Sequence, residues 1–294
     1  MLIDTHGHIS FQAFKDDADA VLKRALENNT WIIMPGTQFS TSQKAVEMAE
    51  RYPEGVYAAI GLHPIHLAET RRVDVLEVQS ENVKEKDWMT FDTKAEEFNY
   101  EKYKALGQSK KVVAIGEFGL DYYYEPKSKA KRESQRMQQK TALALQLKLA
   151  EELQLPVILH CRKAHEDLLA ILQGRNQKMR GVVHCYTGGL KQAEQFYNLG
   201  LYFGFNGLIF KDVSALPDPE EIIASIPLDR IVLETDSPYL IPSQAVVGSD
   251  PTTRNEPMFV KYIAEEIARI KKIDVEEVAS VTTQNAKSLF ALVT

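Results

Sequence analysis

The sequence has few of the features of secreted, membrane-bound or disulfide-linked proteins. Its 294 residues include only two cysteines, Cys161 and Cys185, which cannot form a disulfide framework. No apolar run approaches the roughly 18 residues that a membrane-spanning helix requires. The opening residues, MLIDTHGH, have neither the basic nor the apolar region of a signal peptide. These absences predict a reduced, cytoplasmic protein that does not associate with membranes.

The chain also has no excess of basic residues. Lys and Arg number 35 against 41 Asp and Glu, so the formal net charge is −6 at pH 7. A protein that coats DNA nonspecifically depends on many Lys and Arg contacts to phosphates, and this class is therefore excluded. A nucleic-acid enzyme is not excluded, because bound metal ions can attract phosphate locally on an acidic protein.

The apolar residues, 44% of the chain, lie in short runs separated by amphipathic segments. Most runs are continuous rather than alternating, which is typical of parallel strands buried on both faces. There are eight of them, at 2–3, 31–34, 56–62, 112–116, 157–159, 182–183, 201–205 and 231–233. The segments between them, such as 17–28 and 134–153, place apolar residues at helical spacing. This alternation predicts an α/β fold with a parallel sheet, and the number eight favours a closed (β/α)8 barrel of the TIM type.

We expect residues 1–294 to form one barrel domain with an insertion near 69–104. The insertion contains ten acidic and seven basic residues and few apolar ones. A connection of this length and composition indicates a charged surface segment rather than a second domain, and we expect a helix around 95–106.

Five of the seven histidines follow apolar strand runs. They are His6, His8, His63, His160 and His184. Two carboxylates stand in the same position, because Glu117 follows VVAIG and Asp236 follows IVLET. The carboxyl ends of the strands share one face of a parallel barrel, and active sites in this fold lie on that face.

Each of these residues also has an ordinary structural interpretation. The His6–His8 pair could belong to a short polar segment, and a single histidine such as His160 or His184 is more often a hydrogen-bonded structural residue. Asp236 could cap the turn that follows it. Together, however, four histidines and two carboxylates on different strands exceed what structure alone requires. They supply enough ligands for two divalent ions with one bridging carboxylate, and mixed imidazole and carboxylate ligation suits Zn²⁺ or Mn²⁺ better than Mg²⁺.

Seven motifs make the chain recognisable. It resembles the TatD family of metal-dependent deoxyribonucleases, within the amidohydrolase-like metal-dependent hydrolases. The motifs run through the chain in the family's order: IDTHGH at 3–8, IGLHP at 60–64, IGEFGLDYY at 115–123, LPVILHCR at 155–162, VVHCYTGG at 182–189, LETDSPYL at 233–240 and RNEP at 254–257. The resemblance also implies a (β/α)8 barrel.

The resemblance implies a role for each candidate residue. One metal site would comprise His6, His8, Glu117 and Asp236. The second would comprise Glu117, His160 and His184, so that Glu117 bridges the two ions, whose identity as Mg²⁺, Mn²⁺ or Zn²⁺ stays open. His63 would lie near the substrate, and Arg162 is similar to residues that the family uses beside the phosphate.

Two departures from the family pattern and one discriminating residue stand out. Leu143 occupies a position that is usually aromatic, and the 69–104 connection is longer than usual. Many binuclear amidohydrolases bridge their metals with a carboxylated lysine at the end of the fourth strand. Here the residue after Gly116 is Glu117, which favours the nuclease branch over ring-opening amidases.

The predicted reaction is phosphodiester hydrolysis by a metal-activated water. Asp236 would orient that water or take its proton, and Glu117 would complete the catalytic centre as the bridge between the ions. His63 and Arg162 would bind the phosphate, since the guanidinium group can contact two phosphate oxygens at once.

The leading prediction is a metal-dependent deoxyribonuclease that acts on single-stranded DNA or 3′ ends. The 3′–5′ polarity comes from the resemblance alone, and a monomer is favoured. One alternative is a hydrolase of another ester or amide, such as aminoacyl-tRNA, because that enzyme would have the same metal cluster. A different class, a non-catalytic metal-binding or scaffold protein, is disfavoured by the intact ligand set.

Overall fold

A computed structural model describes residues 1–67, 72–74, 90–175, 178–246 and 254–292. Within these ranges the strands are β1 Leu2–Asp4, β2 Thr30–Pro35, β3 Val56–Ile60, β4 Arg72–Asp74, β5 Thr90–Asp92, β6 Val112–Asp121, β7 Val157–Arg162, β8 Gly181–Val183, β9 Tyr202–Phe205 and β10 Ile231–Leu233. All except β4 and β5 belong to one parallel sheet, in the order β1-β2-β3-β6-β7-β8-β9-β10. Each of the eight predicted apolar runs therefore contains or overlaps a strand of this sheet.

The sheet curls into a nearly closed barrel with helices between successive strands. The helices are α1 Ala18–Glu27, α2 Phe39–Ala49, α3 Tyr100–Leu106, α4 Lys129–Leu153, α5 His165–Gln173, α6 Leu190–Asn198, α7 Pro219–Ser225, α8 Val260–Lys271 and α9 Val275–Phe290. The first and last strands meet where the Thr5 N–H donates to the Leu233 carbonyl at 2.9 Å. The predicted (β/α)8 barrel is confirmed.

Two separate apolar clusters explain why the strands are buried on both faces. Outward-facing residues such as Ile32 and Leu159 pack beneath the surrounding helices. Inward-facing residues, including Ile33, Ile158 and Val182, fill the barrel and pack against the end of α9. This helix closes the amino-terminal end of the barrel, so the carboxyl-terminal end is the one left for a site.

Strand alternation carries polar side chains to that open end. His160 lies two residues beyond the inward-facing Ile158, and Glu234 lies two residues beyond Val232. Gly116 allows β6 to approach β7 closely, because it has a φ of +148° and a Cβ there would lie 2.6 Å from the Ile158 carbonyl oxygen. The next residue, Glu117, is thereby positioned at the mouth.

The predicted 69–104 insertion lies partly outside the described residues, which omit 68–71 and 75–89. Its described part contains the antiparallel pair β4–β5 and the start of α3. The helix is shorter than the expected 95–106, because Asn99 caps it: the Asn99 Oδ1 accepts from the Lys102 N–H at 3.1 Å.

The described helices include none that is both long enough and apolar enough to cross a membrane.

Candidate metal centre

The structure brings all six predicted ligands together at the carboxyl end of the barrel. His6 and His8 follow β1, Glu117 lies in β6, His160 lies in β7, His184 follows β8 and Asp236 follows β10. The Nε2 atoms of His6 and His8 are 3.2 Å apart. The His184 Nε2 and the Asp236 Oδ1 are 3.8 Å apart, and the His6 and His184 rings stack with centroids separated by 3.5 Å. Residues 230 positions apart in sequence thus form a single cluster.

Glu117 lies at the centre of this cluster, and its two oxygens face different histidines. The Oε2 atom is 3.3 Å from the His6 Nε2 and 3.6 Å from the His8 Nε2. The Oε1 atom is 2.9 Å from the His160 Nδ1 and 3.7 Å from the His184 Nε2. The side chain is 5% exposed. A buried carboxylate with imidazoles on both sides has the arrangement of a bridging ligand.

The second ring nitrogen of three histidines fixes the orientation of the first. The His8 Nδ1 is 3.0 Å from the Pro35 carbonyl, the His160 Nε2 is 3.2 Å from the Asp121 Oδ2, and the His184 Nδ1 is 3.0 Å from the Glu234 Oε1. Each partner is an acceptor, so each outer nitrogen carries the proton. In the neutral ring, the lone pair of the other nitrogen then points into the cluster, as metal ligation requires.

In His63 the proton lies on the ring nitrogen that faces the cluster, unlike in the three histidines above. Its Nδ1 accepts from the Ile65 N–H at 3.0 Å, so its Nε2 carries the proton. That Nε2 lies 3.4 Å from the Glu117 Oε1, within the same cluster. The neutral ring therefore presents a hydrogen-bond donor, which fits contact with an anionic oxygen and not ligation of a cation.

Asp121 and Glu234 contact the cluster but were not among the predicted site residues. Both contacts are to the outer nitrogens of predicted ligands. Strand periodicity contains the missing signal for Asp121, which lies four residues after Glu117 in β6 and therefore on the same face. Glu234 is the first residue after β10 and lies two residues beyond the inward-facing Val232.

The charges of the cluster stabilise its carboxylates in the ionised form. Burial raises the pKa of Glu117, but the neighbouring His63 and His6 imidazoles outweigh burial and hold it well below its usual value. Burial also raises the pKa of Asp236, and the hydrogen bond from His8 and the charge of His184 lower it overall. Burial and the nearby His184 lower the pKa of His6 to about 4, which favours the neutral, ligating imidazole.

The pKa values of two other predicted ligand histidines are raised rather than lowered. Burial lowers the pKa of His160, but hydrogen bonds to Asp121 and Glu117 outweigh it and raise the pKa to about 9. Burial acts likewise on His184, whose pKa the Glu234 charge raises to about 10. Protons on these two rings partly balance the four carboxylates that contact them, which are Glu117, Asp121, Glu234 and Asp236.

Asp236 is the cluster carboxylate with the most access to solvent. Its side chain is 16% exposed, against 5% for Glu117 and 1% for Glu234. The Asp236 N–H donates to the His6 carbonyl at 2.8 Å, and the residue has a φ of +57°. The turn therefore joins the first and last strands of the barrel while it presents a carboxylate to the mouth.

Arg162 lies at the same rim, at the end of β7 and two residues beyond His160. Its guanidinium carbon is 3.5 Å from the centroid of the Tyr123 ring and 5.5 Å from that of Tyr124. The Lys163 ammonium is 4.7 Å from the Tyr123 ring centroid. Stacking holds the Arg162 guanidinium beside the cluster rather than within it.

The donor set fits divalent metal ions. Two groups of described residues have their potential ligand atoms within 4.8 Å of one another: His6 with His8 and Asp236, and His6 with His184 and Glu234. A third group contains His63, Glu117 and His160, but His63 presents its Nε2–H, so only Glu117 and His160 are potential ligands there. Ionised carboxylates and inward lone pairs otherwise face one another in a buried volume, which is costly unless a cation or protons neutralise them.

Comparisons with known proteins show the family of this chain. The family model described as TatD related DNase matches residues 3–291. The chain is 36% identical over 295 residues to an uncharacterized metal-dependent hydrolase, YabD, of Bacillus subtilis, covering 99% of this chain and 100% of that protein. It is 33% identical over 296 residues to the 3′-5′ ssDNA/RNA exonuclease TatD of Erwinia tasmaniensis, with the same coverage.

A solved structure has the same fold. The crystal structure of YJJV, a TatD homologue from Escherichia coli, superimposes with a TM-score of 0.77 at 30% identity, covering 99% of this chain and 98% of that one. The resemblance seen in the motifs and the expectation of a metal-dependent hydrolase are confirmed. The chain belongs to the TatD related DNase family.

Proposed function

We propose that this metal-dependent hydrolase cleaves phosphodiester bonds of DNA as a 3′–5′ exonuclease on single-stranded ends. The name of the Erwinia tasmaniensis relative, a 3′-5′ ssDNA/RNA exonuclease, supports the substrate class and the polarity. The acidic net charge of −6 is compatible with this activity, because phosphate would be attracted by the centre rather than by the whole surface.

We assign six residues to two metal ions. His6, His8 and Asp236 would hold one ion, His160 and His184 would hold the other, and Glu117 would bridge them with one oxygen each. Divalent ions in such a pair lower the pKa of a bound water and neutralise charge on both the attacking and the leaving oxygen. The acceptors at the outer nitrogens of His8, His160 and His184 support this assignment, because in the neutral rings they leave the inner nitrogens available to bind an ion.

We assign proton transfer to Asp236. A general base must contact the attacking water and must also pass its proton to solvent. Asp236 is ionised, lies within 3.3 Å of the His8 Nε2, and is the most exposed of the cluster carboxylates. Glu117 is buried between the imidazoles and would hold the centre together instead.

We assign the phosphate to His63 and Arg162. The Nε2–H of His63 supplies a donor inside the cluster, and it would contact a nonbridging phosphate oxygen. The stacked Arg162 guanidinium would neutralise charge from the rim, where its planar fork can contact two oxygens.

The observation that carries this proposal is that the two Glu117 oxygens face different sets of imidazoles. A site for a single ion would need only one of these two sets. The test is a panel of end-labelled single-stranded and duplex oligonucleotides with small esters as comparison, each assayed with Mg²⁺, Mn²⁺ or Zn²⁺. We expect mononucleotides to be released stepwise from the 3′ ends of single strands. Release of no nucleotide under any metal, with turnover of an ester, would reject the nuclease assignment.

A further inference from the structure

A second cavity lies beside the metal centre, between the loops that follow β8 and β9. Its volume is about 470 Å³, within the range of small-molecule sites. Its lining includes Cys185, which directly follows the ligand His184, and Asn206, which directly follows β9. The cavity therefore opens on the same rim of the barrel as the candidate centre.

The inner wall of the cavity is bonded to the centre through Glu234. The Cys185 N–H donates to the Glu234 Oε1 at 2.6 Å, and the Asn206 Nδ2 donates to the same oxygen at 3.2 Å. That oxygen is 3.0 Å from the His184 Nδ1. Two residues of the cavity wall, Cys185 and Asn206, therefore contact the carboxylate that faces His184, one of the predicted ligands.

The outer wall has the chemistry of a base-binding surface. Leu208, Ile209 and Phe210, in a short 3-10 helix after β9, are half-buried and line the cavity. The aromatic ring of Phe210 can stack with a nucleobase regardless of base identity, and Leu208 and Ile209 supply apolar contact beside it. Lys211 follows them in the lining, and burial lowers its pKa to about 8.

The outer lip of the cavity is acidic. Asp212 and Asp218 line it and are exposed. Their charges disfavour a further phosphate of a continuing strand, because like charges that approach within a few ångströms repel. A nucleoside with a free terminal hydroxyl avoids that repulsion, whereas a nucleotide inside a strand does not.

We propose that this cavity, which we call the terminal pocket, binds the 3′-terminal nucleoside of the substrate strand. The inference rests on the proposed exonuclease function. The scissile phosphate would lie at the metal centre, the terminal base would stack on Phe210, and Asp212 and Asp218 would exclude strands that continue. The terminal pocket would thereby select chain ends over internal bonds.

The first test fills the terminal pocket without disturbing the fold. Ser214 lines it and is exposed, so Ser214→Trp places a ring there at little folding cost. We expect kcat/KM for a single-stranded oligonucleotide to fall about tenfold or more, while hydrolysis of bis(p-nitrophenyl) phosphate, which has no nucleoside, is unchanged. Lys191→Met, an exposed residue on the same side but outside the lining, is the control and should leave both rates unchanged.

The second test separates stacking from apolar contact. Phe210→Ala should lower kcat/KM on the oligonucleotide by about five- to a hundredfold, the range for loss of one base stack, and Phe210→Leu should lower it less. An oligonucleotide whose 3′-terminal nucleotide has no base should lose the same factor with the unsubstituted protein. It should lose nothing further with Phe210→Ala.

The outcomes distinguish the two proposals. Normal oligonucleotide cleavage by Ser214→Trp, or an equal loss on the oligonucleotide and on the small diester, would overturn the terminal pocket alone. Turnover of the small diester by the unsubstituted protein, with no nucleotide released from any oligonucleotide, would overturn the nuclease function and the terminal pocket with it.

Discussion

The two ends of the barrel interior are built from the same strands but have opposite chemistry. At the amino end, Ile158 and Val182 pack against Leu289 and Phe290 of α9 in a fully apolar layer. Two residues further along β7, the interior side chain is His160, which lies between Glu117 and Asp121. A shift of about 7 Å along a strand therefore separates a dry core from a cluster of ionisable groups.

The comparison shows how the fold separates stability from activity. Burial of the apolar layer contributes hydrophobic free energy, while the clustered carboxylates and imidazoles are desolvated and cost free energy until a cation joins them. The hydrophobic free energy gained at the amino end thus offsets the desolvation cost of the clustered charges at the carboxyl end. Four substitutions or treatments, taken from the largest expected effect to the smallest, test this division.

Metal removal should abolish activity and leave the apolar end folded. We expect dialysis against a chelator to reduce oligonucleotide cleavage to background, and readdition of Mn²⁺ or Zn²⁺ to restore it. Because ions bind only the folded state, metal at a hundredfold its Kd should raise the free energy of unfolding by about 2.7 kcal/mol. Full activity in metal-free buffer would contradict the metal centre.

Replacement of the bridge should be nearly as severe for activity. Glu117→Gln keeps the shape of the side chain but removes the charge that faces both sets of imidazoles, and we expect kcat to fall about a thousandfold, or about 4 kcal/mol. Metal content should fall by at least one ion per chain. Glu97→Gln, an exposed matched change, should have no effect. Unchanged kcat in the first variant would exclude a bridging role.

A cavity at the amino end should affect stability alone. Phe290, the last residue of α9, is 2% exposed in the apolar layer against the strands, so Phe290→Ala should lower the free energy of unfolding by about 3–4 kcal/mol in urea titrations. The kcat of the folded fraction should be unchanged. Bound metal should raise the free energy of unfolding of this variant by the same amount as that of the unsubstituted protein. Leu145→Ala, on the exposed face of α4, is the control. If Phe290→Ala lowered kcat but left the free energy of unfolding unchanged, the proposed separation of stability from activity would be wrong.

Substitution of a residue that contacts a predicted ligand, rather than of a ligand itself, should have the smallest effect on activity. Asp121→Asn weakens the acceptor that holds the His160 Nε2–H, and we expect metal affinity or activity to fall about 10- to 100-fold. Calorimetric titration of metal into the variant measures the change. The exposed Asp229→Asn supplies the comparison, and equal affinity in both variants would show that Asp121 does not orient the ligand.

The sequence was sufficient for the features that depend on strand order. Five of the eight apolar runs are followed by a predicted ligand, and the fold requires the carboxyl ends of parallel strands to meet, so the gathering of His6 and Asp236 could be predicted. The bounds of α3 could not, because the side chain of Asn99 sets its first turn. The orientation of His8 and of His160 also depends on partners that are distant in sequence, the Pro35 carbonyl and the Asp121 carboxylate, which no local pattern identifies.

The hydrogen bonds that join the first and last strands of the barrel have a consequence for biosynthesis. The His6 carbonyl accepts from the Asp236 N–H, and the His8 N–H donates to the Ser237 carbonyl at 2.8 Å. Synthesis of His6 precedes synthesis of Asp236 by 230 residues. The proposed metal centre would therefore be incomplete in a nascent chain until the last strand of the barrel has been made and has paired with the first.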